Sequence, residues 1–153
     1  MDDARDLTAY CGLYCGDCIP SHERFFEVLE ELQRLAGDLS LKRYAELIAR
    51  KNAAFEDYPA FEMVLAELVA LRCPAPCHGG GGKPDCGIKE CASGKGFAGC
   101  WECADRRGCA LLQPLRDFHR ETIDGNLDAI AEHGPEDWAD KRGKHYPWPK
   151  GHV

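Results

Sequence analysis

No run of eighteen apolar residues occurs in this chain, so it offers no candidate membrane-spanning helix and no membrane partner is expected. An excess of basic residues is also lacking. Nineteen Lys and Arg face 26 Asp and Glu for a net charge of −7, divided as −6 over residues 1–72, +1 over 73–109 and −2 over 110–153. With no basic region, no nucleic-acid partner is expected, because affinity for the phosphate backbone is built from clustered Lys and Arg. The opening Met-Asp-Asp-Ala-Arg-Asp is acidic where a secretory leader is basic, which points to a cytoplasmic protein. At 153 residues the chain is too short for a complete (β/α)8 barrel or a two-domain dehydrogenase. No Ser/His/Asp arrangement is evident, and the acidic run Glu23, Glu27, Glu30 and Glu31 fits the solvated face of a helix.

Cysteine, by contrast, is abundant: ten in 153 residues. In the cytoplasm thiols are kept reduced, so metal ligation becomes the leading reading of these cysteines and a disulfide framework recedes. They fall into two groups. Cys11-Gly-Leu-Tyr-Cys15-Gly-Asp-Cys18 lies near the start, and Cys73, Cys77, Cys86, Cys91, Cys100, Cys103 and Cys109 follow a long interval without cysteine.

The interval between the groups is helical in pattern. Ser21 is placed to cap a helix carrying Phe25, Val28, Leu29, Leu32 and Leu35, which Gly37 ends. A second helix is expected from Ser40 with Leu41, Tyr44, Ala45 and Ile48 on one face. A third starts at Asp57-Tyr58-Pro59 and presents Phe61, Val64, Leu65, Leu68 and Leu71. Over 73–109 the apolar periodicity stops, and seven cysteines, nine glycines and three prolines share 37 residues. Such a segment cannot fold by hydrophobic burial and needs crosslinks or metal. Leu115, Phe118, Ile123, Leu127 and Ile130 then predict one helix passing over Gly125 and stopping at Gly134-Pro135, with a short helix around Trp138. The expected organisation is one mainly α domain: a cysteine motif (1–20), a helical scaffold (21–72), an irregular metal-crosslinked segment (73–109), C-terminal helices (110–142) and a tail (143–153).

All ten cysteines are candidate metal ligands. The C-x2-C pairs Cys15/Cys18 and Cys100/Cys103 have the short spacing that aims two sulfurs at one metal, and zinc is satisfied by four such ligands. Ten sulfurs suffice for two zinc ions per chain with two thiols left over. One grouping joins Cys15/Cys18 to Cys100/Cys103. Another makes Cys86, Cys91, Cys100 and Cys103 a local site and leaves the first three to recruit Cys73 or Cys77. Spacing alone does not choose. The alternative is an iron–sulfur cluster on Cys11-x3-Cys15-x2-Cys18, the spacing used by radical-SAM enzymes, although helix follows helix here where those enzymes alternate strand and helix. If eight cysteines ligate zinc, Cys11 and Cys109 are the candidate free, reactive thiols. Gly79–Gly82 reads as a slack connector, since Pro84 stands where a phosphate loop needs Ser or Thr. His78 is a spare ligand beside Cys77. His119 and His133 read as ordinary helix residues, and His145 and His152 as exposed tail.

The order Cys11-Gly-Leu-Tyr-Cys15-Gly-Asp-Cys18, Cys73 and Cys77 after a helical insertion, Cys86-Gly-Ile-Lys-Glu-Cys91, Lys95-Gly96, Cys100-Trp-Glu-Cys103 and Cys109 resembles the "domain of unknown function 3795" family of small bacterial and archaeal cysteine-rich proteins. The resemblance implies zinc and no reaction. The tail departs from relatives that end in a further cysteine pair, having Pro147-Trp148-Pro149 instead. The functional expectation is a zinc-binding protein, the zinc mainly structural, serving as a binding or adaptor module for a protein or small-molecule partner. The alternative is an iron–sulfur or open-site zinc enzyme.

Overall fold

A computed structural model describes residues 4–148, so the acidic opening residues 1–3, and 149–153 with His152 among them, lie outside the described residues. Among the described residues the protein is mainly helical, with six α-helices, several short 3-10 turns and no strand beyond one antiparallel bridge between Thr8 and Tyr14. No helix among them is long and apolar enough to cross a membrane. The chain divides into two compact units: unit 2 is His22–Arg72, and unit 1 is formed by the chain up to Ser21 and from Cys73 onward.

Unit 2 contains α1 (Glu23–Asp38), α2 (Leu41–Ile48) and α3 (Tyr58–Ala70), and α1 packs against both others. Pro59 sits in the first turn of α3, where its missing N–H costs nothing. Ser21 does not cap α1. It belongs to a 3-10 turn, Ile19–Ser21, and His22 occupies the cap position without a side-chain bond. The buried side chains are Phe26, Leu29, Ala45, Tyr58 and Leu65. The predicted stripe is thus only partly covered. Phe25, Val28, Leu32 and Leu35 stay exposed because Phe26, on the neighbouring edge of the same helix, takes the core position with Leu29 and Leu65.

Unit 1 contains α4 (Gly87–Gly94), α5 (Gln113–His119) and α6 (Thr122–His133). Its core is built on α6: Ile123, Leu127 and Ile130 pack with Trp101, Leu112 and Trp138. The predicted single C-terminal helix is two. The break falls at Arg120, whose φ is 56°, while Gly125 is accommodated inside α6. Trp138 precedes a 3-10 turn, Ala139–Lys141, and its indole N–H donates to the Thr8 hydroxyl at 2.8 Å. His145, read as exposed, is buried, since the Thr122 hydroxyl binds the neighbouring Lys144 carbonyl at 2.9 Å and holds this stretch against α6. The segment 73–109 is more ordered than its composition predicts, with α4 and three 3-10 turns.

Candidate metal centre

The first cysteine motif is a tight loop clamped by α6. Ala9 N–H donates to the Leu13 carbonyl at 2.8 Å and Cys15 N–H to Leu7 at 2.7 Å, while Asn126 donates to the Gly12 carbonyl at 2.8 Å. Gly12 has φ +83°, and a Cβ there would stand 2.9 Å from a Leu127 methyl, so both conformation and space demand glycine. Arg142 fixes the following turn through two bonds to Asp17 at 2.6 and 3.2 Å and lies 4.6 Å over the Tyr14 ring.

Both C-x2-C pairs adopt one conformation. A 3-10 turn starts at the first cysteine, and the second donates its N–H back to the first's carbonyl: Cys18 to Cys15 at 3.0 Å and Cys103 to Cys100 at 3.1 Å. The second cysteine is extended in each, with φ/ψ of −81°/128° and −82°/124°. A tight backbone turn of this kind is the local geometry from which C-x2-C pairs can share a metal. The two motifs also meet, because Cys100 N–H donates to the Tyr10 carbonyl at 2.8 Å. Cys73 N–H ties back to Pro20 at the same distance.

The glycine run is not slack. Gly81 N–H donates to the Pro76 carbonyl at 3.0 Å and Gly82 N–H donates to the Cys73 sulfur at 3.2 Å. A Cβ on Gly81 would lie 1.5 Å from the Ala75 carbonyl oxygen, and one on Gly82 would lie 2.8 Å from the Cys77 sulfur. The run is therefore folded close over Cys73 and Cys77, and glycine is what lets the backbone approach. Its position after Cys77, with only His78 between them, is the local sign of this close approach. His78 stacks on Tyr10 with ring centroids 4.0 Å apart. Tyr146 accepts from Ile19 N–H at 2.9 Å and reaches toward the Cys18 sulfur, at 3.9 Å. Sequence reading passed over this tyrosine because only folding places residue 146 beside residue 18.

All ten cysteines are free and half-buried. Their sulfurs fall into two neighbourhoods. In the first, the Cys77 thiol hydrogen-bonds the Cys15 sulfur, and Cys11 and Cys86 lie within electrostatic reach. In the second, Cys11, Cys109, Cys103 and Cys91 lie within electrostatic reach of Cys100, so Cys11 is common to both. Cys18 lies within electrostatic reach of Cys15 and Cys73. Cys77 comes beside Cys15 and within reach of Cys11, as in the grouping where the first three cysteines recruit Cys73 or Cys77, while Cys86 is also within reach of Cys77.

Electrostatics explains what such a donor set lacks. Hydrogen bonding from Cys77 lowers Cys15 to about 6, and the same bond pushes Cys77 far up, because two adjacent sulfurs cannot both ionise unaided. Burial pushes Cys11 up to about 11, and burial with the neighbouring thiols pushes Cys100 up to about 12. A cation is the partner that would let neighbouring thiols ionise together. The donor chemistry thus fits a thiophilic metal. Among the described residues, however, no three His, Cys, Asp or Glu side chains are gathered as they would be around one bound ion.

Residues 7–114 match the family model described as "Protein of unknown function (DUF3795)". The chain belongs to that family. The DUF3795 match spans all ten cysteines and the whole of unit 2, and it ends before α6. No curated protein and no solved structure matches the chain.

Proposed function

We propose that unit 1 is a cysteine-held metal module, its metal structural in role, in a protein that works as a binding or adaptor module. What carries the reading is a disproportion. Residues 73–109 contain seven free cysteines but only two buried hydrophobic side chains, Ala92 and Trp101. Apolar burial at roughly 1.5–3 kcal/mol per side chain cannot offset the ordering of 37 residues at about 1–2 kcal/mol each. Metal crosslinks are a further source of order, structural zinc in small peptides contributing about 10–16 kcal/mol per ion. Zinc suits the first neighbourhood, Cys11, Cys15, Cys77 and Cys86, where two sulfurs already touch. The second reading, an iron–sulfur centre, is favoured in the other neighbourhood and not at the Cys11-x3-Cys15-x2-Cys18 motif, because there the four cysteines stand around a cavity.

The adaptor role draws on unit 2. Val28, Leu32, Leu35 and Leu39 form one exposed apolar stripe on and just beyond α1, the kind of surface a protein partner covers. Elemental analysis of full-length protein purified without oxygen tests the metal reading. Metal at both neighbourhoods is the expected result, and a folded protein free of metal would overturn it.

A further inference from the structure

We infer that Cys91, Cys100, Cys103 and Cys109 form the cradle of a four-iron, four-sulfide cluster and not of a single zinc ion. These four line one cavity of about 140 Å³ in unit 1. That is close to the roughly 150 Å³ of an engineered apolar cavity that admits benzene. In a zinc tetrathiolate, Zn–S bonds of about 2.3 Å set the sulfurs about 3.8 Å apart, in van der Waals contact with no space between them. A four-iron cluster takes one thiolate per iron and places its own iron–sulfide body among the four, so it requires an opening of this kind. The inference rests on the metal-module reading above and names the occupant of one of its two sites.

The walls suit such an occupant. Ile88, Phe97 and Leu112 supply apolar surface, which keeps water from the metal. Arg106 supplies a donor. Its Nη1 reaches the Trp101 and Cys103 carbonyls at 3.4 and 3.5 Å and its Nη2 reaches Asp128 at 3.2 Å. Its Nε is buried with no partner, although Arg106 lines the cavity. Buried N–H groups are almost always paired, and the sulfides of a cluster are acceptors. Four thiolates leave the assembly anionic, and the wall carries two cations, Arg106 and Lys95, against one carboxylate, Asp105.

The test uses the full chain, purified without oxygen or stripped and reloaded with equal amounts of ferrous and ferric iron and with sulfide. A brown protein is expected, with visible absorption that bleaches on reduction and about four iron and four sulfide per chain. Cys103→Ser should lose most of that iron, and Cys18→Ser, outside the cradle, should keep it. A colourless protein holding only zinc overturns the inference and leaves the metal module standing. Equal loss of colour in Cys18→Ser overturns the assignment to this cradle. A chain that takes up neither zinc nor iron overturns the inference and the metal module together.

Discussion

Unit 2 buries Phe26, Leu29, Ala45, Tyr58 and Leu65 on three helices and holds no cysteine, whereas unit 1 holds all ten cysteines and confines its apolar core mainly to α6 and the residues packed on it. The difference shows two routes to order in one chain. Unit 2 gets its order from apolar periodicity, and unit 1 sets an apolar anchor beside a segment rich in cysteine and poor in buried apolar side chains. The three tryptophans, Trp101, Trp138 and Trp148, all lie in unit 1, so tryptophan emission reports that unit alone while unit 2 contributes helix content.

Metal removal should break the comparison most sharply. A thiol-competing chelator is expected to remove stabilisation on the order of 10 kcal/mol from unit 1. Emission from Trp101 would shift toward that of solvated indole and protease would cut within 73–109, while α1–α3 keep their far-ultraviolet helical signal. Equal loss in both units would show that unit 2 also depends on metal. The reverse perturbation is Phe26→Ala. Phe26 is 1% exposed and central to a three-residue cluster, so truncation should cost about 3–5 kcal/mol. The loss should appear in helix content at a lower denaturant midpoint, with tryptophan emission of the metal-loaded protein unchanged.

The two units also differ in how far their structure could be read from sequence. α3 was legible because Pro59 and the spacing of Phe61, Val64, Leu65, Leu68 and Leu71 are local signals, although Phe61, Val64 and Leu71 of that stripe stay exposed. The core of α6 was legible for the same reason. What escaped was set by contacts across long sequence distances. α4 has Gly87 and Gly94 at its ends and little periodicity, so nothing local announces it. The break at Arg120 carries no glycine, and the glycine nearby, Gly125, lies within α6. For the candidate metal centre the sequence identifies every cysteine as a candidate, but their neighbours depend on folding, which brings Cys86 within reach of Cys77 and Cys91 within reach of Cys100.

A smaller effect should separate a wrapped glycine run from a slack one. Gly81→Ala places a methyl against the Ala75 carbonyl, a backbone atom that cannot swing aside, so the cost should be about 1–3 kcal/mol. The tryptophan-detected thermal midpoint should fall, and metal should dissociate faster from the site that includes Cys77. Gly94→Ala is the control. Nothing stands within 4 Å of its Cβ, and alanine inside a helix is favoured over glycine, so that midpoint should hold or rise slightly. Equal effects at both positions would return the run to a slack connector.

The smallest expected effect concerns the ion pair that joins α5 to α6. Arg116 bonds Asp124 twice, at 3.0 and 2.9 Å, and also donates to the Cys109 carbonyl at 3.1 Å. Hydrogen bonding from Arg116 holds the Asp124 carboxyl below the usual carboxylate range. A carboxylate whose folded pKa is depressed contributes stability that is present above its unfolded value, near 4, and is lost as pH falls through the folded value. Asp124→Asn should therefore lower the midpoint of metal-loaded protein at neutral pH, by about 1–2 kcal/mol for a partly buried charged pair. The gap between variant and wild type should close as pH falls below 4, because wild-type Asp124 then becomes uncharged as well. Comparing the two proteins at each pH cancels the acid release of metal that both share. A gap that stayed constant down to pH 2 would show that the asparagine disturbs packing and that the Arg116 charge contributes nothing through Asp124.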